Sequence, residues 1–555
     1  MSQREPWVRI VPLGGLGEIG MNMTLLETEE DILVIDAGLM FPEEEMLGID
    51  LVLPEVTYLL SQRDRVRGIV LTHGHEDHTG GLPYLLPELP VPIYGTALSL
   101  GLVQEKLREF GLDRSADLRP IHARDRLRLG GLDLEFVRVC HSIPDGVAVA
   151  VRAPAGLILH TGDFKFDHTP VDGEVSDVQK LAALGEAGVL ALLSDSTNAN
   201  REGFTPSESS IGRTFEHIFR HAQRRLIVAC FASNIHRIQQ VLDVAHRLGK
   251  KVAVNGKSMA ANVRIAEELG YLHVPPDTLM RLDELQRLSP DCGVIITTGS
   301  QGEPLSAVAR MAVGEHKQVE VQPGDTVVFS ARAIPGHEQS IARTVNQLLK
   351  RGARFITEDT WPGVHVSGHP SQEELKLMLR LTRPRFFIPV HGEYRHLHWH
   401  AELARQMSTP PDQVFLLEDG DILEVTRSHA EVAGRVPAGR VLVDGKGVGD
   451  VGDAVLRDRQ HLAQDGMVVV VIGFDRAGMV VAGPDIISRG FADLPEGDAL
   501  FERARKLIIE VLEGCSVEEK TDWTLVKQRV RSVLRRFIQK AVERRPMILP
   551  VIIEV

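Results

Sequence analysis

Three imidazoles and two carboxylates fall within the hexapeptide His73-Gly74-His75-Glu76-Asp77-His78. The apolar run Ile69-Val70-Leu71 precedes it and predicts a short buried strand that ends near the hexapeptide. Neutral imidazole and carboxylate groups are ligands that zinc, manganese and iron accept, so this spacing predicts a metal site. One hexapeptide cannot complete two coordination shells, and further ligands must come from elsewhere in the chain.

The same pattern, a short apolar run that ends at a histidine or an aspartate, recurs along the chain. The residues at these ends are Asp36, His141, Asp163, Asp195 and His391. If all of these strands pack in one sheet sandwich, their carboxyl-terminal ends can converge on one edge. We therefore expect the scattered residues to belong to one site.

The composition is that of a globular protein with several domains. The chain has 555 residues, which is too long for one core and predicts about two to four domains. The formal net charge of −14 argues against a uniformly basic nucleic-acid coat, but a local basic groove remains compatible with it. Four scattered cysteines fit a reducing cytoplasm. No signal region and no membrane-spanning apolar run stands out, so we expect a cytoplasmic protein without a membrane partner.

The order of predicted elements indicates how the domains are arranged. Residues 206–358 alternate helices and strands, which is typical of a parallel α/β domain. Ligand-bearing strands lie on both sides of it, in 1–205 and 359–427, so it is an insertion. Residues 428–450 contain five glycines and one proline and predict a linker. Residues 451–555 predict a last domain of strands and helices.

The ligand pattern resembles that of the metallo-β-lactamase fold. The resemblance covers about the first 200 residues and 360–420. It implies two divalent ions, Zn²⁺ or Mn²⁺ or both. The implied ligands are His73, His75 and His141 for one ion and Asp77 and His78 for the other, with Asp163 bridging the two. Asp36 is implied to orient a loop that carries ligands.

The insertion and three later residues resemble the β-CASP group of nucleic-acid processing nucleases. Asp195, His369 and His391 match its three motifs. By this resemblance, His391 completes the second metal shell. His369, oriented by Asp195, contacts the scissile phosphate and protonates the leaving oxygen, a contribution of ~10²–10⁴-fold. The implied catalytic residues are Asp36, Asp77, Asp195 and His369.

The whole chain resembles the bacterial ribonuclease J family in domain order and in three local strings. These are Gly14-Gly15-Leu16-Gly17-Glu18-Ile19-Gly20-Met21-Asn22, Ser194-Asp195-Ser196-Thr197-Asn198 and Thr298-Gly299-Ser300-Gln301-Gly302-Glu303-Pro304. The implied fold is α/β: a metallo-β-lactamase αββα sandwich, an inserted parallel α/β β-CASP domain and a C-terminal α+β domain. The implied function is 5′→3′ exoribonuclease activity that prefers a 5′-monophosphate, with endonuclease activity, in RNA maturation and mRNA decay. Water activated by two metal ions would attack the phosphodiester.

Two stretches of the insertion suit a 5′-phosphate pocket, which needs backbone N–H groups, hydroxyls and a cation. The first comprises Ser233, Asn234, Ile235, His236 and Arg237, and the second comprises Ser300, Gln301 and Gly302. Each has an alternative interpretation as an ordinary helix cap or turn. Beside His369, we expect His365, Val366, Ser367 and Gly368 to line the scissile phosphate.

Other predictions rest on less specific features. Apolar helix faces in 451–555 suggest a homodimer or tetramer, whereas the basic helix there suggests contact with RNA. Asp50 and Asp444 form a weaker candidate for a hard-cation site, such as a structural Ca²⁺. The expected partner is single-stranded, 5′-monophosphorylated RNA. The alternatives are a noncatalytic RNA-binding subunit, which the complete ligand set disfavours, and a β-CASP nuclease that acts on DNA.

Overall fold

The computed structural model describes residues 5–303, 306–334, 337–475, 478–491, 499–516, 519–520 and 522–555. Pro304, the last residue of the third string quoted above, lies outside them. The chain forms two compact units, one of residues 1–43 and 51–441 and the other of residues 44–50 and 442–555. Among the described helices, none is long and apolar enough to cross a membrane.

The strands, in chain order, are β1 Trp7–Gly14, β2 Leu16–Gly17, β3 Met23–Glu27, β4 Ile32–Ile35, β5 Leu51–Pro54, β6 Val66–Val70, β7 Ile93–Gly95, β8 Leu118–Pro120, β9 Arg126–Leu129, β10 Leu132–Arg138, β11 Val147–Ala153, β12 Gly156–His160, β13 Val189–Asp195, β14 Leu226–Ala229, β15 Lys251–Asn255, β16 Gly293–Thr297, β17 Thr326–Phe329, β18 Arg354–Ile356, β19 Phe386–Val390, β20 Gly392–Glu393, β21 Asp421–Thr426, β22 Ala430–Arg435, β23 Arg440–Asp444, β24 Gly447–Val448, β25 Met467–Phe474, β26 Val480–Arg489 and β27 Met547–Glu554.

The α-helices are α1 Thr57–Ser61, α2 Glu76–Thr79, α3 Leu82–Leu85, α4 Ala97–Glu109, α5 Val178–Ala187, α6 Ser210–His221, α7 Ile235–Arg247, α8 Lys257–Glu268, α9 Leu282–Leu285, α10 Ala307–Val313, α11 Glu338–Lys350, α12 Gln372–Thr382, α13 Tyr394–Gln406, α14 Asp453–Asp465, α15 Ala499–Glu513 and α16 Trp523–Val542.

Two sheets pack face to face in the first unit. Their strand orders are β22-β21-β1-β3-β4-β6-β7-β8 and β19-β13-β12-β11-β10-β9. Apolar side chains from both inner faces form one core, to which Ile35 and Val70 contribute from one sheet and Phe136 and Ile388 from the other. Separate apolar clusters bury the outer faces under helices, including α4 on the first sheet and α12 on the second. These four layers are the predicted αββα sandwich.

The ligand-bearing strands run in the same direction within each sheet, which explains why their ends meet. In the first sheet β4 and β6 are parallel. In the second, β12, β13 and β19 are parallel, and β10 shares their direction because β11 is antiparallel to both β10 and β12. The expected convergence of the strand ends follows from this topology.

The insertion is a separate five-stranded sheet in the order β15-β16-β14-β17-β18, and its strand pairs are all parallel. Its central strands are buried on both faces, as expected for a parallel sheet between helices. One apolar cluster includes α6 and α7, and the other includes α10 and α11.

In the second unit β25 pairs with β26 antiparallel and with β27 parallel. Helices α15 and α16 bury Ile508, Val530 and Leu534 against Val468 and Val470 of this sheet. The apolar stripe of the basic helix α16 is therefore used inside the unit. This stripe is therefore not available for self-association. Self-association of the protein stays a prediction.

Residues 428–450 differ from the predicted linker because they contain regular structure. Strand β22 pairs with β21 in the first sheet, and β23 pairs with β24. Glycines 445 and 449 have positive φ values and form turns there. The glycine content that suggested a linker thus belongs in part to tight turns between strands.

The candidate hard-cation residues are both engaged by protein groups. Asp444 forms an ion pair with Arg459. Asp50 accepts a hydrogen bond of 2.8 Å from the backbone N–H of Gly445. Because Arg459 already neutralises the carboxylate of Asp444, this geometry gives the predicted Ca²⁺ site no support.

Candidate metal centre

The first ligand group comprises His73, His75, His141 and Asp163. Nδ1 of His75 lies 3.0 Å from Nε2 of His73 and 3.2 Å from Nε2 of His141. Oδ2 of Asp163 lies 3.7 Å from Nε2 of both His73 and His141. Three ring nitrogens and one carboxylate oxygen thus face a common point, as ligands of one metal ion do.

The second group comprises Asp77, His78, His391 and the same Asp163. Nε2 of His391 lies 3.3 Å from Oδ2 of Asp77 and 3.5 Å from Oδ2 of Asp163. Nε2 of His78 lies 3.3 Å from Oδ2 of Asp163. Within each group the candidate ligand atoms lie within 4.8 Å of one another. The structure thus brings together all seven predicted metal ligands, with Asp163 shared.

Asp163 provides a test of whether a metal would fit. Its Oδ2 is buried and makes no hydrogen bond of ordinary geometry, although Nε2 of His78 is 3.3 Å away. Five imidazoles surround this atom at 3.3–3.8 Å, from His73, His78, His141, His369 and His391. A buried carboxylate oxygen without a donor is costly unless it coordinates an ion, so these residues could hold two metal ions.

The protonation of the first group suits metal binding. Burial lowers the pKa of His73 and of His141 well below the ordinary value, and it lowers the pKa of His75 to about 4. These imidazoles are therefore neutral at pH 7, which is the form that binds metals. Burial opposes ionisation of Asp163, but the surrounding histidines, led by His391, hold its pKa well below the ordinary value.

Asp36 lies next to His78 and to the loop that carries the hexapeptide ligands. Its Oδ2 lies 2.7 Å from Nδ1 of His78, which turns Nε2 toward Asp163. Asp36 also accepts hydrogen bonds of 2.8 Å from the backbone N–H and the hydroxyl of Thr72. The same hydroxyl lies 3.0 Å from Nδ1 of His73, so Thr72 connects the two groups.

His369 and Asp195 form a pair beside the shared carboxylate. Nδ1 of His369 lies 2.8 Å from Oδ2 of Asp195 and 3.8 Å from Oδ2 of Asp163. Burial opposes protonation of His369, but the carboxylates of Asp195 and Asp163 together outweigh it and raise the pKa of the imidazole. The pair can therefore hold a proton next to the metal ligands.

The segment that carries His369 is attached to the first ligand group. The backbone oxygen of Gly368 lies 2.8 Å from Nδ1 of His141 and accepts a hydrogen bond from it. The hydroxyl of Ser367 accepts a hydrogen bond of 2.8 Å from Nδ2 of Asn198. His365 lies at the other end of the segment, with its Nδ1 3.4 Å from Nη1 of Arg237. The ring of His141 thus connects the first ligand group to the segment that carries His369.

The predicted phosphate pocket at 233–237 is built differently from the expectation. Asn234 is the N-cap of α7 and accepts a hydrogen bond from the backbone N–H of Arg237. Arg237 itself is fully buried, and its guanidinium pairs with Glu208 at 2.8 Å and donates to the backbone oxygen of Ser330 at 2.7 Å. Because these partners occupy the cation, a direct contact between Arg237 and a phosphate has no support in this geometry. His236 is buried and lies 3.8 Å from Asp172. Ile235 is a core residue.

The second predicted stretch, 300–302, contacts a neighbouring loop. Nε2 of Gln301 donates to the backbone oxygen of Arg332 at 2.8 Å, and its Oε1 accepts from the backbone N–H of Ile334 at 2.7 Å. The amide of Gln301 thus holds that loop in place. Ser300 is buried, and Gly302 adopts a positive φ of 71° against the backbone of Ser340. Binding of substrate by these residues stays a prediction.

Sequence reasoning missed several uncharged polar residues around the site. These are Asn22, Thr72, Thr197, Asn198 and Thr205. Asn22 donates to the backbone oxygen of Asp77 at 3.1 Å, and Thr205 donates to that of His369 at 2.8 Å. The only signal was that four of the five lie within two residues of a ligand or within a quoted family string.

A pair of carboxyl groups lies next to the strand that follows His391. Strand β2 pairs with β20, and Asp419 accepts a hydrogen bond of 3.2 Å from the backbone N–H of Leu16 in β2. Burial, together with the neighbouring Glu18, raises the pKa of Asp419 to about 8. Arg440 lies 3.2 Å from Glu18 and neutralises one of the two charges. The pair thus holds a proton at neutral pH.

We expect this pair to make the protein less stable as pH rises. An unfolded aspartate ionises near pH 4, whereas folded Asp419 keeps its proton up to about pH 8, so stability falls across that window. Asp419→Asn should therefore have a higher Tm than the wild type at both pH 6 and pH 9, and the difference should be larger at pH 9, because the penalty of keeping the folded carboxyl protonated grows up to about pH 8. Calorimetry at both pH values tests this, with Asp412→Asn as an exposed control. A Tm difference between Asp419→Asn and the wild type that is the same at pH 6 and pH 9 would contradict this expectation.

The sandwich, the two ligand groups and the inserted parallel domain define a metallohydrolase of the metallo-β-lactamase class that carries a β-CASP domain. Family models agree with this: metallo-β-lactamase superfamily (residues 16–199), ribonuclease J β-CASP domain (223–348), Zn-dependent metallo-hydrolase RNA specificity domain (363–416) and ribonuclease J C-terminal domain (454–555). The chain belongs to the ribonuclease J family.

Curated relatives cover the chain over almost its whole length. It is 46% identical to ribonuclease J of Thermus thermophilus over 99% of the chain and 95% of that protein. It is 44% identical to ribonuclease J2 of Bacillus subtilis over 99% of both. A crystal structure of a protein of unknown function from Enterococcus faecalis V583 has the same fold, with a TM-score of 0.54 and 15% identity over 76% of this chain and 100% of that one. The predicted family, the fold class and the metal-dependent ribonuclease class are thereby confirmed at the level of the family.

Proposed function

We propose that this protein degrades single-stranded RNA from the 5′ end, prefers a 5′-monophosphate and also cuts RNA internally. The observation that carries the proposal is the complete metal centre with the His369–Asp195 pair beside it. A noncatalytic subunit would have no need for seven convergent ligands, so the site favours an enzyme.

The ligand groups are proposed to hold two divalent ions, Zn²⁺ or Mn²⁺, since histidine and carboxylate ligands accept both. Such ions lower the pKa of water and neutralise phosphate oxygens. Around them the chain positions its own groups: Asp36 orients His78, and Asp163 lies between the two sets of ligands. Asp77 lies 3.3 Å from Nε2 of His391 and is the other carboxylate of the second group.

His369 is proposed to supply the proton that the departing 3′-oxygen needs. Its Nδ1 donates to Asp195, so a proton at Nε2 is the one that can move to the substrate. General acid catalysis of this kind contributes ~10²–10⁴-fold. Ser367 and Gly368 would lie against the scissile phosphate because they immediately precede His369.

We also propose two functions for the C-terminal unit. The basic helix α16 would contact RNA, and the C-terminal unit would support a homodimer or tetramer. Two exposed apolar residues favour oligomer formation. Ile487 and Leu549, which are 48% and 44% exposed, flank Val469 on the sheet face opposite α15 and α16. The predicted cytoplasmic location is likewise a proposal.

The proposed function is tested by comparing RNA substrates that differ in the phosphate group at the 5′ end. We expect full-length protein with Mn²⁺ or Zn²⁺ to release nucleotides from 5′-monophosphorylated RNA at least about 10-fold faster than from 5′-triphosphorylated RNA, because a pocket built for one phosphate group excludes a larger one. The His75→Ala, Asp77→Ala double variant is the inactive control, and single-stranded DNA of the same sequence is the second substrate. RNA decay that the double variant leaves undiminished, or faster decay of DNA, would refute the proposal.

A further inference from the structure

Thr197 contacts both His391 and Asp195, although neither the metal nor the substrate chemistry requires a threonine there. Its Oγ1 lies 2.7 Å from Nδ1 of His391 and 3.3 Å from the backbone oxygen of the same residue. Its backbone N–H donates to Oδ1 of Asp195 at 2.9 Å. Asp195 uses its other oxygen for His369. One residue thus lies between a metal ligand and the proton-donating pair.

The hydrogen bonds around Thr197 indicate that Nδ1 of His391 carries a proton. The hydroxyl of Thr197 can donate one hydrogen bond, and the backbone oxygen of His391 can accept it. The hydroxyl oxygen of Thr197 then accepts a hydrogen bond from the N–H at Nδ1 of His391. Nε2, which faces Asp77 and Asp163, is then the nitrogen at which a metal ion in the second group would replace a proton.

The surroundings of His391 make this contact more important than a single hydrogen bond elsewhere. His391 has a positive φ of 58°, a conformation that is costly for a residue with a side chain. The two contacts from Thr197 hold both its ring and its carbonyl group in that conformation. The alternative acceptor is Oδ1 of Asp195, which lies 3.9 Å from Nδ1 and is too far for a hydrogen bond. Without Thr197 the ring would have to turn away from the second ligand group to reach it.

We propose that Thr197 is a positioning residue that fixes the tautomer and orientation of His391 for the second metal ion. In the same position its backbone holds Asp195, so the metal site and the proton donor keep a constant relation. The inference rests on the proposed metal centre and adds a residue to it.

The test compares full-length Thr197→Val and Thr197→Ser with the wild type in a Mn²⁺ titration of metal-free protein, with free Mn²⁺ followed by electron paramagnetic resonance. Valine keeps the shape and removes the hydroxyl, whereas serine keeps the hydroxyl. We expect the second Mn²⁺ to bind about 10–100-fold more weakly to Thr197→Val, the usual effect of losing a group that orients a ligand. Thr197→Ser should stay within about threefold of the wild type. RNA hydrolysis by Thr197→Val should fall at limiting Mn²⁺ and recover at saturating Mn²⁺.

Thr382→Val is the matched control, because Thr382 is a buried threonine whose hydroxyl donates to the backbone oxygen of Met378 in α12. It should leave both Mn²⁺ affinities unchanged. If Thr197→Val does not fold, Thr197→Ala replaces it in the comparison with serine. A second Mn²⁺ bound equally well with and without the hydroxyl would overturn the inference. A wild type that binds no second Mn²⁺ or does not cleave RNA would instead overturn the proposed function.

Discussion

Asp163→Asn should lose RNA hydrolysis by at least about 10³-fold, which corresponds to the several kcal/mol that bound metal ions contribute to phosphoryl transfer. The carboxylate belongs to both ligand groups, and its Oδ2 makes no ordinary hydrogen bond although it is buried. An asparagine has nearly the same shape but no charge to offset two cations. Both ions should therefore bind more weakly, and the loss should exceed that of any single histidine.

Metal content and activity are measured on the same preparations. Purified Asp163→Asn should contain fewer than two ions per chain by elemental analysis, whereas Asp412→Asn, an exposed aspartate in the same unit, should equal the wild type. Circular dichroism checks that the variant is folded. A folded variant that retains two ions and more than a tenth of the activity would show that the carboxylate does not bridge the ions.

The convergence of the candidate metal ligands could be predicted from the sequence because these residues combine distinctive chemistry with a local pattern. Each follows a short apolar strand, and parallel strands place their carboxyl-terminal ends at one edge. His391 is more than 300 residues from His78, yet their rings stack with centroids 5.2 Å apart. Only the strand pattern and the family resemblance could join such distant residues.

The residues that position the ligands could not be predicted in the same way. Thr72 and Thr197 are ordinary in composition, and their role depends on distances of 2.7–3.0 Å that no local pattern encodes. For Arg237, in contrast, the sequence suggested a functional contact that the structure does not support. A cation at a helix N-terminus suggested a phosphate ligand, but Glu208, which is 29 residues away, neutralises it in the interior. Burial of a charge depends on tertiary packing, so residue spacing alone does not predict it.

Gly368 shows how closely the segment that carries His369 is packed against the first ligand group. A Cβ atom at this position would lie 2.6 Å from both Cε1 and Nδ1 of His141 and 2.9 Å from the backbone nitrogen of Ser142. Contacts under 3.0 Å between such atoms cannot persist, so one side has to move. The His141 ring is buried and held by its own contacts, at Nδ1 to Gly368 and at Nε2 to the ligand group.

Gly368→Ala should therefore lose activity by about 10²–10⁴-fold, the range of a lost general acid, or more if a metal is also lost. Either His141 leaves the first group, and the metal content falls toward one ion, or the segment at 365–369 withdraws and takes His369 out of reach with both ions retained. Metal content thus distinguishes the two responses. Gly452→Ala is the control, because a Cβ there meets no atom within 4 Å. The backbone at Gly368 does not have a positive φ, so the only obstacle to an alanine side chain at this position is contact with its neighbours. Near-normal activity of Gly368→Ala would mean that His141 and the segment of His369 are not in contact in solution.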